Sequence, residues 1–259
     1  MKKSKMTGNS FKLYLLMLGL SFLPGVHAQS DEKNVGRAAA AQVLGGALLV
    51  ASPDSQHYVN LVGKAVAKQG GLNYKWHIGV IKSEGINAFA MPGGFILLSS
   101  GLLTTLETED ELAFVLSHEV AHVAQKHHYQ VVQRQRLADQ AAKGLESITN
   151  DVDTSKLAQA SGQIYARGLD KFAEFEADRL GVELMTRAGY DPAAALNVLE
   201  KLQRLKGDDP RAELLFSTHP SPAERMDQLL QAGIDKLPRP AANSNPARDK
   251  RFREFRAAL

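Results

Sequence analysis

The 259-residue sequence predicts an α+β domain that is mainly helical and carries one small sheet. Three observations point there. Apolar residues recur at helical spacing behind helix start signals over most of the chain. Only two short stretches, 74–81 and 87–99, have β-like character. A hydrophobic content of 44% is enough for a sizeable core.

The first 28 residues read as a secretory leader rather than as part of that domain. Lys2, Lys3, Lys5 and Lys12 form a basic region, Leu13–Leu23 is apolar, Pro24-Gly25 breaks the run, and Val26-His27-Ala28 is a small-x-small cleavage pattern. Eleven apolar residues are too few to span a bilayer comfortably. The formal charge of +3 includes these four lysines, so the remainder carries −1 and gives nucleic-acid binding no support. With no cysteine, disulfides, thiolate metal sites, cysteine nucleophiles and a lipoprotein anchor are all excluded. The pattern predicts a periplasmic protein whose mature chain starts at Gln29 and has no transmembrane helix.

Residues 31–50 predict an Ala-rich helix ending at Gly45-Gly46. Ser52-Pro53-Asp54 opens a second helix, and Gly70-Gly71 ends it. Tyr74–Ile81 alternates Trp76, Ile78 and Val80 against Lys75, His77 and Gly79, as a strand does. In 87–99, Met91-Pro92-Gly93-Gly94 is a turn signal between two β-like runs. Pro92 favours an edge position, since it cannot donate to a ladder. The run is either an ordinary hairpin or one whose edge strand receives an extended peptide.

Glu111–Gln125 is the most informative stretch. Thr108 is a plausible N-cap with Glu111 three residues on, and Glu109, Asp110 and Glu111 suit a helix N-terminus. Apolar residues on most sides predict a buried helix. Within it stands His118-Glu119-Val120-Ala121-His122. At roughly 100° per residue the two histidines share one face, where they can grip one zinc ion. Glu119 beside them is placed to act on water rather than on the metal. Two His and one Glu in a dry core are costly unless paired or bound to metal.

Beyond it, 127–160 predicts a helix, a loop around Thr149–Thr154 and another helix; His127 and His128, more than a turn past His122, can approach the site, but solvated side chains are the favoured expectation. In Lys171–Met185, Glu174 and Asp178 share a helix face while Glu176 points elsewhere. A zinc held by two His needs a third protein ligand. Glu174 can supply it, with Asp178 orienting a ligand histidine. Asp191-Pro192 and Pro222 begin further helices, and His219 lies in a loop between them. His219 and Arg225 are both candidates to reach the cleft. Residues 236–259, rich in Pro, Ala, Asn and Arg, predict a poorly ordered tail after a domain spanning 29–235.

Four segments together resemble the zinc metallopeptidases that include HtpX and the CAAX prenyl proteases. They are N-A-F-A-M-P-G-G at 87–94, S-H-E-V-A-H at 117–122, E-F-E-A-D-R-L-G at 174–181 and T-H-P-S-P-A-E-R at 218–225. The resemblance is to the soluble periplasmic branch typified by BepA and LoiP. It implies a zincin-type domain of the gluzincin class with a cleft lined by the edge strand, and one Zn2+ held by His118, His122 and Glu174. It implies Glu119 as catalytic base and Asp178 as a neighbouring acidic residue, sometimes assigned as proton donor. It places His219 near the cleft, as a metal ligand at rest or an oxyanion stabiliser, a role Arg225 is also positioned to share. Implied substrates are misfolded envelope or outer-membrane proteins, with the outer-membrane assembly machinery as a possible partner. The other reading is a periplasmic chaperone with a closed, structural zinc.

Overall fold

The computed structural model describes residues 24–71, 74–143, 168–205, 209–239 and 246–259. Most of the expected leader and the loop expected at Thr149–Thr154 lie outside them. Helix α1 (Pro24–Gly46) extends the Ala-rich helix back across the expected leader junction. Helix α2 (Pro53–Gln69) starts where the sequence signals it, with the Ser52 hydroxyl accepting from the Ser55 amide.

The sheet has three strands: β1 (His77–Ile81), β2 (Ala88–Met91) and β3 (Phe95–Ser99). Their order is β1-β3-β2, with β1 parallel and β2 antiparallel to β3. β2 is therefore an outer strand. Gly93 and Gly94 turn the β2–β3 hairpin at φ of 76° and 95°, which side chains rarely adopt.

A short helix α3 (Ser100–Thr105) leads into the central helix α4 (Glu109–Ala124). Thr108 Oγ1 caps α4 by accepting from the Glu111 amide at 3.1 Å. The Glu111 carboxylate reaches back one residue further than in an ordinary capping box, accepting from the Glu107 amide at 2.7 Å. α4 is buried nearly all round, as its composition predicts. Helix α5 (His127–Lys143) follows after a break at Gln125-Lys126, where Lys126 adopts φ of 57°. Then come α6 (Lys171–Arg187), α7 (Ala193–Arg204), α8 (Glu213–Thr218) and α9 (Pro222–Gln231). α6 lies directly against α4. A Cβ on Gly181 would meet the His118 backbone nitrogen at 3.0 Å, tighter than side chains ordinarily pack, so glycine suits this close approach. One apolar core joins α2, the sheet, α4, α6 and α7.

The expected disorder of residues 236–259 is corrected over its second half. Pro246–Ala257 forms a helix, α10, whose Phe252 and Phe255 are buried in the main core. Phe255 packs on the Tyr58 ring at 4.6 Å between centroids. Arg251 donates twice, at 2.6 Å, to the buried Glu109 carboxylate, which also accepts from Tyr58 and Tyr190 hydroxyls. Its basic face thus meets a buried acid at the first residue of α4. Phe252→Leu should cost about 1 kcal/mol and lower Tm by roughly 2–4 °C. An unchanged thermal melt would show that α10 does not stay docked.

Candidate metal centre and active site

Helices α4, α6 and α8 bring four side chains to one point. His118, His122, Glu174 and His219 each offer a ligand atom, and these atoms lie within 4.8 Å of one another. His118 and His122 stand one turn apart on α4 with Nε2 atoms 3.0 Å apart. Glu174, in the first turn of α6, sets Oε1 3.4 Å from His122 Nε2 and Oε2 3.6 Å from His118 Nε2. His219, the residue that ends α8, places Nε2 3.7 Å from Glu174 Oε2. Its Nδ1 is held by Thr218 Oγ1 at 2.9 Å and the Leu215 carbonyl at 3.3 Å.

These separations fit a metal. Ligands about 2.0–2.1 Å from a tetrahedral ion lie roughly 3.3–3.4 Å from each other. Glu174 is almost fully buried, and its Oε2 accepts no hydrogen bond from the described residues. A buried acceptor left in that state is costly unless a cation completes it. Despite burial, His219, His122 and His118 hold the Glu174 carboxyl far below the usual carboxylate range. Burial pushes His122 and His219 down, toward the neutral form in which a ring can donate an electron pair.

Support for the histidines comes from the same helix. Asp178, one turn after Glu174, accepts from His118 Nδ1 at 3.0 Å, which leaves His118 Nε2 facing the cluster. Burial and Arg225 push His118 down, but Asp178 and Glu174 outweigh them and hold it at about 9. A ring so supported is also a stronger ligand. Arg225, at the start of α9, donates to both Asp178 oxygens, through Nε at 2.8 Å and Nη2 at 2.6 Å. The pair is buried, and Arg225 drives the Asp178 carboxyl strongly down against the effect of burial.

Glu119 is buried at 4% exposure, yet it lines a cleft with Asn87, Ala88, Phe89 and Ala90 from β2 and with His122, Glu174 and His219. Burial lifts its carboxyl to about 7, partly offset by His118. A cation held next to it would draw it back down. A second, largely apolar pocket adjoins Glu119 and His219, walled by Leu102, Phe114, Val115, Val198, Leu202 and Leu215, with Arg225 at its lining.

Two expectations are overturned. His127 is not solvated: it is buried, with Nδ1 3.0 Å from His122 Nδ1 and Nε2 3.3 Å from Glu176. His128 is only partly exposed and lines the cleft, and burial holds it at about 3. A solvated His127 is the favoured expectation because a continuous helix would carry it about 140° away from His122. The φ of 57° at Lys126 breaks that continuity and returns the chain to the site. Glu176 does point away from the cluster, as its spacing predicts, but toward His127.

The pattern of peptidase family M48 matches residues 53–232. A beta-barrel assembly-enhancing protease of Yersinia pestis is 31% identical over 224 residues, 83% of this chain and 46% of that protein. The mitochondrial metalloendopeptidase OMA1 of Schizosaccharomyces pombe is 31% identical over 68% of this chain and 52% of its own length. The metalloprotease LoiP of Escherichia coli is 30% identical over 61% of each chain. The chain thus spans about half the length of the first two. Among the described residues, no helix is long and apolar enough to cross a membrane. With the His-Glu-x-x-His helix, the third carboxylate and the matched pattern all in register, the chain belongs to peptidase family M48.

Proposed function

We propose that the protein is a zinc-dependent metalloendopeptidase acting on extended or misfolded polypeptides of the bacterial envelope, outer-membrane proteins among them. The observation that carries this reading is the convergence of His118, His122 and Glu174 on one point, with Glu119 in the wall of the adjoining cleft. Two His and a Glu form a known donor set for catalytic zinc. Bound there, zinc supplies Lewis acidity, which acidifies water and polarises a scissile carbonyl.

The remaining work falls to this chain. Glu119 takes a proton from the attacking water and returns it to the amine as the C–N bond breaks. Asp178 fixes the His118 ring, and Arg225 holds Asp178. Arg225 donates to Asp178 through Nε and Nη2 and also lines the pocket beside Glu119 and His219, so it stays a candidate to share the oxyanion role. His219, at the cleft wall, is the better-placed group to steady the oxyanion. β2 forms one side of the cleft, which suits a substrate lying extended along an outer strand. The apolar pocket beside Glu119 suits a large apolar side chain next to the bond cleaved. The expected leader and the name of the beta-barrel assembly-enhancing relative support the envelope setting.

The purified protein should cleave unfolded casein, lose that activity on dialysis against 1,10-phenanthroline and recover it with one equivalent of Zn2+. Sites mapped by mass spectrometry should fall beside large apolar residues. Activity untouched by the chelator would sink the reading.

One observation favours a second reading. His219 sits within the same cluster, so it can close the site as a fourth ligand, as structural zinc sites are closed. If the wild type holds zinc without cleaving casein, His219→Ala separates the two cases. A gain of activity means a self-blocked peptidase, and continued silence favours a structural zinc protein, such as a chaperone.

A further inference from the structure

The segment Glu174-Phe175-Glu176-Ala177-Asp178 carries three carboxylates within little more than one turn of α6. Two have destinations already described: Glu174 faces the ligand cluster, and Asp178 accepts from His118. The third, Glu176, is 45% exposed and faces the buried His127, whose other ring nitrogen faces His122. We propose that His127 and Glu176 are positioning residues that fix the tautomer and ring orientation of His122, as Asp178 does for His118.

The hydrogen-bond directions follow from a single condition. If His122 presents the Nε2 lone pair to a metal, its Nδ1 carries the hydrogen. Nδ1 of His127, 3.0 Å away, must then accept. That forces the His127 hydrogen onto Nε2, which faces the Glu176 carboxylate at 3.3 Å and can donate to it. The chain from carboxylate through two imidazoles to the ligand nitrogen therefore has one consistent arrangement. It is the kind of support a ligand histidine ordinarily receives from one carboxylate or carbonyl, here lengthened by one ring. The break at Lys126 makes this possible. It lets the first residue of α5 return to the helix it has just left.

The inference rests on the reading of His122 as a metal ligand, so the test follows metal rather than turnover alone. Zinc affinity is measured by competition with a chromophoric chelator, and the visible spectrum of Co2+-loaded protein is recorded. His127→Phe keeps a ring of similar size but leaves the His122 Nδ1 hydrogen without an acceptor. It should weaken zinc binding about 10- to 100-fold and shift the Co2+ bands. His127→Gln offers an oxygen to His122 and an N–H to Glu176, so it should recover most of the affinity. Glu176→Ala, at a half-exposed position, should leave the fold intact and weaken zinc several-fold in the same direction.

Wild-type zinc affinity and an unchanged Co2+ spectrum in His127→Phe would overturn the inference, as would a Gln variant no better than Phe. Should circular dichroism show that His127→Phe does not fold, Glu176→Ala decides. An unchanged spectrum and affinity there also overturn it. If the wild type binds neither Zn2+ nor Co2+, the metal-site reading itself fails, a result separable from failure of the relay alone.

Discussion

Glu119→Gln should leave the protein folded and fully loaded with metal but unable to cleave casein. The amide matches the carboxylate in shape, so the packing at this buried position survives. It is not a base, so the water proton has no acceptor at the point where Glu119 lines the cleft. General acid–base catalysis contributes about 10²- to 10⁴-fold. The loss should reach the upper part of that range, because one carboxylate serves both proton transfers. None of the separations that define the ligand cluster involves Glu119, so zinc content measured by mass spectrometry should equal that of the wild type. Cleavage within tenfold of wild type would remove Glu119 from the mechanism. Loss of zinc together with activity would instead place it among the ligands.

Arg225→Met should destabilise the fold sharply. The substitution keeps an unbranched chain of similar reach but removes the guanidinium that donates twice to Asp178, a carboxylate with 1% of its side chain exposed. Asp178 is left with its contact to His118, and breaking a buried ion pair from one side costs about 3–5 kcal/mol, because no water replaces the lost partner. For a domain of this size that is roughly 6–20 °C in Tm. The double variant Arg225→Met with Asp178→Leu should regain much of the stability, since a buried pair can often be exchanged for apolar groups at little cost. It should not regain zinc affinity, because His118 then lacks the acceptor on Nδ1. Calorimetry and chelator competition on the single and double variants separate the two effects. A double variant with wild-type zinc affinity would show that Asp178 does nothing for His118.

Much of the site was legible because its signals are local. His118 and His122, and likewise Glu174 and Asp178, are four residues apart, so helical periodicity alone puts each pair on one face. The sheet order was not legible, although the hairpin was. β3 pairs on its other side with β1 in parallel, across the intervening β2, and no local pattern announces that crossover. His127 was hidden by a helix break at a Gln-Lys pair, which carries no glycine or proline to announce it. The α10 helix was hidden for another reason. Its charge density reads as a solvated tail, while only Phe252 and Phe255, three residues apart, mark a buried face. The counter-charge that accepts its basic side is Glu109, more than a hundred residues earlier. Reading Glu109 simply as a favourable charge at a helix N-terminus missed its second partner.

The contact at Gly181 has a wider consequence. There α6 rests on the backbone of α4 at Ser117 and His118, with no side chain between them. Side-chain cores yield when residues are exchanged, whereas backbone against backbone is close to incompressible. The spacing between the helix that bears two histidines and the helix that bears Glu174 is therefore gauged by main-chain atoms. Drift in the surrounding apolar residues can erode stability while the ligand geometry keeps its dimensions. The chemistry is in this sense insulated from the sequence that packs around it.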